Sequence, residues 1–392
     1  MEKGDGFLSG KAYDVIVVGA GAVGMSAARS LLAQGVERIA VVEREGPAAG
    51  STSRAAGIVS VLTWDEHDAL LVKRSAEIYR DLAARFPGRF RYHGDGMVTV
   101  ANRAATVEAM EPRIAALREV GLEVQELSCA QAQERWSDLV VEDAQAIWYT
   151  PGDGQVYGYD YVQVVLDEMQ GQVDFYFHHP LQEILQEGDR VVGVLAGDVT
   201  LSAPRVLLAT GVWTRKVLGP MGMEIPIKPY RTQISVWTAD SPVRLPILHD
   251  LDLGFYWVPD GQKIIFGDGT EHVESDPYDW KDFNDEEFIL AAGERLAKRF
   301  VHGQEVRLQG GWAGLCDATP DRHPLLGAYG PEGLFLAVGF NGFGIMRAPA
   351  VGEEAARLVL GKESFLPMEK YGAVRFPSWV DFPITEGFNV VS

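Results

Sequence analysis

The stretch DVIVVGAGAVGMSAARSLLAQGVERIAVVE, residues 14–43, decides the fold of this chain. It opens with a continuous apolar run, which is typical of a strand buried on both faces of a parallel sheet. A glycine loop follows at Gly19–Gly24, and then a helix-like segment over Met25–Gln34 that ends at Gly35. A second apolar strand covers Ile39–Glu43. This order predicts a complete strand–helix–strand unit.

The loop Gly19-Ala-Gly21-Ala-Val-Gly24 has the spacing of a dinucleotide-binding fingerprint. Gly19 permits a tight turn, Gly21 lets the backbone approach a pyrophosphate, and Gly24 allows close packing of helix and strand. The helix that follows presents unpaired N–H groups, which suit a phosphate. Glu43 is suited to accept hydrogen bonds from ribose hydroxyls. The motif alone does not separate NAD from FAD, and a glycine-rich turn without a ligand is the alternative.

Composition and charge exclude several classes of protein. The chain has 392 residues, 47% of them hydrophobic, and a formal net charge of −20. This hydrophobic content excludes a disordered chain, and the length predicts more than one domain. An acidic surface repels a phosphate backbone, so we expect no nucleic-acid partner. We find no apolar run long enough for a membrane span, and residues 1–11 lack a signal-peptide pattern, so we expect a cytoplasmic protein.

The cysteines and histidines show no metal-binding or disulfide pattern. Cys129 and Cys316 lie far apart in the sequence, and no C-x-x-C pair occurs. A disulfide framework and a cysteine zinc site are therefore not predicted. The histidines lack the H-E-x-x-H spacing, and we expect no metal.

A second strand, glycine loop and helix are predicted near the end of the chain. The strand covers Gly333–Gly339, the loop covers Phe340–Gly344, and the helix lies near Pro349–Leu360. Periodicity predicts further helices at 67–85, 104–120, 159–169 and 279–299, and further strands at 92–101, 173–178, 191–195, 205–209, 233–238 and 255–258.

Four passages resemble the D-amino-acid oxidase family of flavoproteins, which contains sarcosine oxidase, glycine oxidase and dye-linked proline dehydrogenases. They are residues 14–43, the small-residue loop Gly50–Gly57, the segment Ala203–Gly211, and the pair 310–327 and 339–352. The resemblance covers nearly the full length. It implies an FAD-dependent enzyme and favours FAD over NAD, because the second glycine loop near the carboxyl terminus has no place in an NAD-dependent dehydrogenase.

The resemblance implies that FAD binds in an extended form. Its ADP half would contact Gly19, Gly21, Gly24 and Glu43, with Arg44 beside the adenosine and Leu181 near the adenine. Ser51, Thr52 and Arg54 would face the pyrophosphate and the flavin. Gly344, Ile345 and Met346 would lie against the C2 carbonyl of the flavin ring, where a helix N-terminus favours the negative charge of reduced flavin. The same resemblance adds further cofactor contacts: Ala22, Val23, Ala55, Ala56, Gly57, Thr210, Gly211, Gly342 and Phe343.

Two positions decide whether the flavin is attached covalently in related enzymes. Dimethylglycine-type enzymes use a histidine in the small-residue loop, and Arg54 occupies that position here. Monomeric sarcosine oxidase uses a cysteine before the T-P-D motif, and Cys316 stands out of register with it. We therefore expect non-covalent FAD, with Cys316 as a small buried residue.

The expected substrate is a small secondary or N-substituted amine. D-amino-acid and glycine oxidases have an arginine at the position of Cys316, and its absence favours the sarcosine, dimethylglycine and proline dehydrogenase branch. Tyr256 matches a family tyrosine that lines the substrate cavity, while Arg231 and His249 are weaker candidates for substrate contacts. Met346 replaces a carboxylate-binding lysine of sarcosine oxidase, so the carboxylate site has moved or the substrate differs.

The electron acceptor is predicted to be something other than oxygen. In sarcosine oxidase a lysine above the flavin stabilises the negative charge that oxygen acquires, and the alignment puts Ile265 at that position. Lys263 lies two residues earlier on the same strand face, and a shift of the hairpin would restore an oxidase. An oxygen-using oxidase is thus one alternative. An FAD-binding electron-transfer or assembly subunit without its own substrate is another. The sequence does not decide whether the acceptor is a protein or whether the chain forms an oligomer.

Together these features predict an α/β fold with an α+β second domain. A Rossmann-like FAD-binding domain would comprise residues 1–90, 151–220 and 325–392. A substrate domain built on an antiparallel sheet would comprise residues 91–150 and 221–324. Both domains would be discontinuous in sequence.

Overall fold

A computed structural model of the chain describes residues 11–63, 65–268 and 274–384. The helices are α1 Ala22–Ala33, α2 Ser51–Arg54, α3 Glu66–Arg85, α4 Ala104–Glu119, α5 Cys129–Arg135, α6 Gly158–Met169, α7 Thr214–Leu218, α8 Glu286–Arg299, α9 Gly344–Val359 and α10 Met368–Tyr371. Short 3₁₀ turns lie at Gly211–Trp213, Gly219–Met221 and Ala373–Arg375.

The strands form both parallel and antiparallel sheets. They are β1 Val15–Val18, β2 Ile39–Val42, β3 Ile58–Val59, β4 Met97–Ala101, β5 Gln125–Glu126, β6 Ala146–Thr150, β7 Gly154–Gln155, β8 Asp174–Tyr176, β9 Leu181–Glu187, β10 Arg190–Ala196, β11 Val199–Ser202, β12 Val206–Leu208, β13 Lys228–Thr238, β14 Ile247–Asp250, β15 Phe255–Asp260, β16 Lys263–Gly267, β17 Arg307–Ala318, β18 Leu325–Ala328 and β19 Leu334–Val338.

The first sheet has the order β18-β19-β12-β1-β2-β8 and is parallel except for the β18–β19 pair. β1 and β2 are buried along their whole length, because helices cover the sheet and the strand sequences are continuously apolar. α1 and α9 pack closely together: a Cβ added at Gly352 would lie 2.3 Å from the Cβ of Ser26. This sheet confirms the predicted strand–helix–strand unit.

The second large sheet has the order β17-β13-β16-β15-β14-β4-β6-β5. It is antiparallel except for the parallel pair β4–β14. Tyr256 and Val258 on its inner face join the apolar cluster that includes α1, α3 and α9. Trp257 and Phe266 on its outer face pack with Phe288 of α8. The alternation of side chains along each strand separates the two clusters.

The predicted fold class is confirmed, with parallel and antiparallel sheets combined in one chain. The first sheet draws its strands from residues 15–42, 174–176, 206–208 and 325–338, and the second from residues 97–150 and 228–318. These ranges fall inside the segments predicted for the two domains. The division into domains stays a prediction, and its ends reach into residues 1–10 and 385–392, which lie outside the described residues.

Several elements differ from the sequence-based expectation, and β13, β17 and α8 are three that surround the cavity sheet. β13 begins at Lys228 and not at 233, and β17 was not predicted at all. Glycines at 310, 311 and 314 lower the strand propensity of β17, so its pairing with β13 compensates for weak local preference. α8 begins at Glu286 and not at 279. The segment before it is irregular because Arg231 donates to the carbonyl groups of Lys281 and Phe283.

Within the described residues, we find no helix that combines the length and the apolar character needed to cross a membrane.

Candidate functional site

A cavity extends from the carboxyl ends of β1, β2 and β12 to the inner face of β13, β15 and β17. The carboxyl edge of a parallel sheet is the usual ligand crevice of such folds. The cavity is lined by most of the residues predicted to hold the cofactor: Gly19, Gly21, Ala22, Val23, Glu43, Arg44, Ser51, Thr52, Arg54, Ala55, Ala56, Gly57, Leu181, Thr210, Gly211, Gly342, Gly344, Ile345 and Met346. Their binding of a cofactor stays a prediction, but the fold brings them together.

The three glycines of the first loop have different surroundings. Gly19 has φ +109°, and a Cβ there would lie 2.5 Å from the carbonyl oxygen of Ala209. A Cβ at Gly24 would lie 1.9 Å from the carbonyl oxygen of Gly19, so Gly24 serves packing and does not line the cavity. Gly21 faces the cavity, where an added Cβ would meet Thr52 Oγ1 at 3.2 Å. Of the three glycines, Gly21 alone is a position where an added Cβ would meet no backbone atom, so the loop forms a cradle at Gly21.

The carboxylate of Glu43 is fixed at the cavity wall by backbone donors. The N–H of Ala20 donates to Oε2 and the N–H of Glu45 donates to Oε1, both at 2.9 Å. A carboxylate oxygen has a second lone pair, so each oxygen keeps a position for a ribose hydroxyl. Nearby, the N–H of Ala22 donates to Thr52 Oγ1 at 3.0 Å, which ties α1 to α2.

Aromatic side chains surround Arg44 at one end of the cavity. Its guanidinium lies 4.0 Å from the ring centroid of Trp213 and 5.7 Å from that of Tyr278. Trp213 Nε1 donates to the carbonyl oxygen of Pro277 at 3.3 Å, which holds the two rings in place. Neither Trp213 nor Tyr278 was predicted, although both line the cavity. They come from segments far from the glycine loop, and no local pattern points to them.

The small-residue loop connects the cavity to the large sheet. Ser51 Oγ donates to the carbonyl oxygen of Leu315 at 2.6 Å, and Trp312 Nε1 donates to that of Arg54 at 2.8 Å. Arg54 itself donates to the carbonyl oxygen of Gly50 at 2.9 Å. These bonds hold α2 against β17, so the middle of the cavity has a rigid wall.

The N-terminus of α9 points its first turn at the cavity. Gly344, Ile345 and Met346 line the cavity. Phe343 is the N-cap residue, and within the described residues no side chain caps this helix and no acidic residue stands in its first turn. An uncapped helix start carries partial positive charge. The buried side chain of Phe343 joins the apolar cluster and is not among the described residues that line the cavity, and its contact with the cofactor stays a prediction.

The end of the cavity at the large sheet is lined by Tyr230, Thr232, Tyr256, Cys316 and Met346. Tyr230 stands directly opposite Cys316 in the β13–β17 pair, so both face the same side of the sheet. Burial raises the pKa of the Cys316 thiol to about 12, and it raises the pKa values of both tyrosines as well. All three groups are therefore protonated at neutral pH. Sequence analysis found Tyr256 here but missed Tyr230 and Thr232.

Arg231 and His249 do not join this end. Arg231 alternates with Tyr230 and Thr232 on β13, so its side chain leaves on the opposite face. There it is buried and donates to Asp285 Oδ2 at 2.6 Å. His249 lies directly opposite Tyr256 in the β14–β15 pair, yet it is buried in the sheet and is not among the described lining residues. Burial lowers the pKa of His249 to about 4, so the ring is neutral near pH 7.

A buried carboxyl group supports the second glycine loop. The N–H groups of Gly339 and Phe340 donate to Asp317 at 2.6 and 3.0 Å. Burial raises the pKa of Asp317 to about 6, and these two bonds oppose that rise. Asn341, at φ +53°, donates from Nδ2 to the carbonyl oxygen of Gly339 at 2.8 Å. The loop is thus held by side chains of the large sheet and of its own turn.

These features fit an extended FAD. The cavity-facing cradle at Gly21 suits a pyrophosphate, the fixed Glu43 carboxylate suits a ribose, and the uncapped start of α9 suits the C2 carbonyl of a flavin ring. The two helix starts open on the same cavity, which runs between them.

Comparison with known proteins identifies the family. The sequence model described as FAD dependent oxidoreductase matches residues 14–358. The chain belongs to this family: it is an enzyme, and its cofactor is FAD. The resemblance drawn from the glycine loops is confirmed.

Individual relatives are distant. The chain is similar to 4-methylaminobutanoate oxidase (formaldehyde-forming) from Paenarthrobacter nicotinovorans, with 25% identity over 88% of this chain and 43% of that protein. It is similar to glycine oxidase from Pseudomonas aeruginosa, with 28% identity over 91% of this chain and 97% of the oxidase. It thus spans less than half of the first relative and nearly all of the second. The crystal structure of L-proline dehydrogenase from P. horikoshii superposes with a TM-score of 0.87 at 23% identity, covering 93% of this chain and 98% of that one, which shows the shared fold.

Proposed function

We propose that the chain oxidises a small secondary amine or N-substituted amino acid, of the sarcosine or proline type, to the imine by hydride transfer to FAD. The observation that carries the proposal is the end of the cavity at the large sheet, which Tyr230 and Tyr256 line together with Met346 at the start of α9. The hydroxyl groups of the two tyrosines and of Thr232 lie at this end beside the apolar side chain of Met346. 4-Methylaminobutanoate oxidase, a relative, is named for an N-methyl amine, which supports the substrate class.

Bound FAD supplies the hydride acceptor, and the protein's own residues prepare the substrate. Buried, apolar surroundings disfavour an ammonium ion, so the amine binds with its nitrogen lone pair free. The protonated hydroxyls of Tyr230 and Tyr256 can each donate one hydrogen bond, to a carboxylate oxygen or to the amine. Ile345 and Met346 line the cavity with apolar groups, which disfavour water beside the substrate. Together these contacts orient the C–H bond beside the nitrogen.

We expect the FAD to be bound without a covalent link. A thiol must ionise before it can attack a flavin, and burial keeps the pKa of Cys316 at about 12. Arg54, at the position of a linking histidine in related loops, donates its protons to the carbonyl oxygens of Ala49 and Gly50. Both side chains are thus unsuited to attachment.

Electrons are expected to pass to a dye, a quinone or a protein in preference to oxygen. Ile265 is buried in β16 and supplies no charge. Lys263 is exposed at the end of the hairpin, where it pairs with Asp260, and is not among the described residues that line the cavity. The observed register, with Tyr256 opposite Gly267, supports the alignment that leaves a lysine out of the site. The cytoplasmic location, the natural acceptor and any oligomer stay predictions.

Anaerobic reduction of the flavin tests the substrate. Purified holoenzyme is mixed with sarcosine, L- and D-proline, hydroxyproline, dimethylglycine, glycine and primary D-amino acids, and bleaching is followed by absorbance. We expect sarcosine or a proline to bleach the flavin fastest. Faster reduction by glycine or a primary D-amino acid contradicts the assignment. A yellow protein that no amine bleaches supports an electron-transfer or assembly subunit.

A further inference from the structure

We propose that Arg347 is a positioning residue that holds the start of α9 in the orientation needed by the flavin ring. The inference rests on the proposed docking of the ring at this helix start. Arg347 does not face the cavity and was not among the sequence-based candidates. It acts through the backbone of the second glycine loop.

The guanidinium of Arg347 donates hydrogen bonds to two carbonyl groups of the second glycine loop. Nη2 donates to the carbonyl oxygen of Phe340 at 2.8 Å, and Nε donates to that of Phe343 at 3.3 Å. The Phe340 carbonyl also accepts the N–H of Phe343 at 2.9 Å, which closes the turn before the helix. The side chain thus connects both ends of the turn that precedes Gly344.

The third donor of Arg347 reaches a different helix. Nη1 donates to Asp68 Oδ1 of α3 at 2.6 Å, and both side chains are 0% exposed. A buried charge without its partner costs several kcal/mol, so this pair fixes the position of the guanidinium strongly. Tyr79, also on α3, donates its hydroxyl to the carbonyl oxygen of Ile345 at 2.6 Å. The first turn of α9 is therefore anchored to α3 at two points.

The loop is also held by the large sheet. Asp317 at the end of β17 accepts the N–H groups of Gly339 and Phe340, as described above. Asp317, which binds N–H groups of the loop, and Arg347, which binds its carbonyl groups, together clamp the loop. The N–H groups at the start of α9 are left toward the cavity, with no capping side chain among the described residues. Their direction depends on the clamp.

A lysine at position 347 cannot make the same set of hydrogen bonds as this arginine. The guanidinium is a planar fork that donates in three directions at once, while an ammonium group is a compact point charge on a flexible stem. Arg347→Lys keeps the charge opposite Asp68 and loses the simultaneous bonds to the two carbonyl groups. This variant therefore tests the effect of the lost hydrogen bonds to the loop while the positive charge is kept.

The test measures flavin properties that need no amine. FAD affinity is titrated on apo-protein by flavin fluorescence, and the two-electron potential of the holoenzyme is measured against a reference dye. For Arg347→Lys we expect about tenfold weaker FAD binding, the size of one charge-assisted hydrogen bond. Reduced FAD loses about tenfold more affinity than oxidised FAD, because its negative charge needs the aligned N–H groups. This tenfold difference between the affinities for reduced and oxidised FAD lowers the two-electron reduction potential of the bound flavin by about 30 mV.

A matched control uses a second ion pair between the same helices. Arg74 of α3 binds Glu353 of α9, with Nη2 at 2.7 Å from Oε1, at the protein surface and away from the loop. Arg74→Lys should leave FAD affinity and potential within twofold and a few millivolts of wild type. If Arg74→Lys lowers the potential as much as Arg347→Lys does, general loosening of α3 and α9 explains the effect and the proposal fails.

The proposal also fails if folded Arg347→Lys keeps the wild-type potential. Should that variant not fold, the neutral pair Arg347→Gln with Asp68→Asn removes both charges together and avoids an unpaired buried charge. We expect the same lowered potential from it, and an unchanged potential contradicts positioning by Arg347. Neither result depends on which amine the enzyme oxidises, so the substrate assignment stands or falls separately.

Discussion

Substituting alanine for one of two glycines in the first loop should affect either FAD binding or the stability of the fold, depending on which glycine is changed. Gly21 and Gly24 lie one turn apart at the start of α1, yet only Gly21 lines the cavity. Gly21→Ala should fold normally and bind FAD poorly. Gly24→Ala should destabilise the protein even without FAD. Gly46→Ala is the control, because a Cβ there has no described heavy atom within 4 Å.

The expected magnitudes follow from the surroundings of each Cβ. At Gly24 the new atom would lie 1.9 Å from a backbone carbonyl oxygen, so the helix must shift. Overpacking of this kind costs up to about 3 kcal/mol, and the better helix propensity of alanine returns about 1 kcal/mol. We therefore expect a net loss of about 2 kcal/mol in the free energy of unfolding.

At Gly21 the nearest atom is the hydroxyl of Thr52 at 3.2 Å, and the backbone has φ −76° and ψ 178°, which alanine adopts without strain. The stability of apo-protein should change by less than about 0.5 kcal/mol. The methyl group occupies the approach of the pyrophosphate and costs one hydrogen bond to a charged group, about 1.5–3 kcal/mol. FAD affinity should therefore fall roughly 10- to 150-fold.

Urea unfolding of apo-protein and fluorescence titration with FAD measure the two effects independently. Wild type and Gly46→Ala should have the same urea midpoint and the same FAD affinity. The reasoning is refuted if Gly21→Ala binds FAD as tightly as wild type, or if Gly24→Ala unfolds at the same urea concentration as wild type. In the first case the pyrophosphate does not approach Gly21.

Further predictions concern the substrate end and the acceptor. Tyr256→Phe should lower kcat/KM about fivefold, the value of one hydrogen bond near 1 kcal/mol, and unchanged kinetics would remove Tyr256 from the site. Acid precipitation should leave the yellow colour in the supernatant, whereas a yellow pellet would indicate a covalent link such as one through Cys316. Amine-reduced enzyme should be reoxidised faster by a dye than by air-saturated buffer; reoxidation by air as fast as turnover would make it an oxidase, with Lys263→Met as the next variant. The low pKa of His249, about 4 against 6.5 when unfolded, means that the unfolded state binds an extra proton between these pH values. The free energy of unfolding should then fall on acidification from pH 6.5 to 4, by up to about 1.4 kcal/mol per pH unit, and His249→Gln should fall less steeply; parallel pH profiles would contradict this.

The first glycine loop could be predicted from the sequence in detail. The signals for a strand, a tight turn, a helix start and an acidic residue lie within one short stretch, and each depends on local backbone chemistry. The spacing of the motif predicted that Gly21 approaches the cofactor and that Gly24 allows close packing of helix and strand. In the structure Gly21 lines the cavity, and Gly24 lies against the backbone of Gly19. The same locality explains the agreement for the long helices, such as α3 at Glu66–Arg85.

The substrate end depended on tertiary structure. Tyr230 and Arg231 are adjacent in sequence, and only the register of β13 against β17 sends one into the cavity and the other to Asp285. A shift of that register by one residue would exchange their positions, and nothing in the local sequence specifies it. Arg347 likewise carries no local signal, because its partner Asp68 lies on another helix. The sequence by itself determined the family, from motifs that can each be read locally, and it determined the cofactor loop, because that loop depends on contacts between near neighbours in the chain. The side chains that meet the substrate and orient the flavin-facing helix were decided by long-range packing, since their partners come together only in the folded protein.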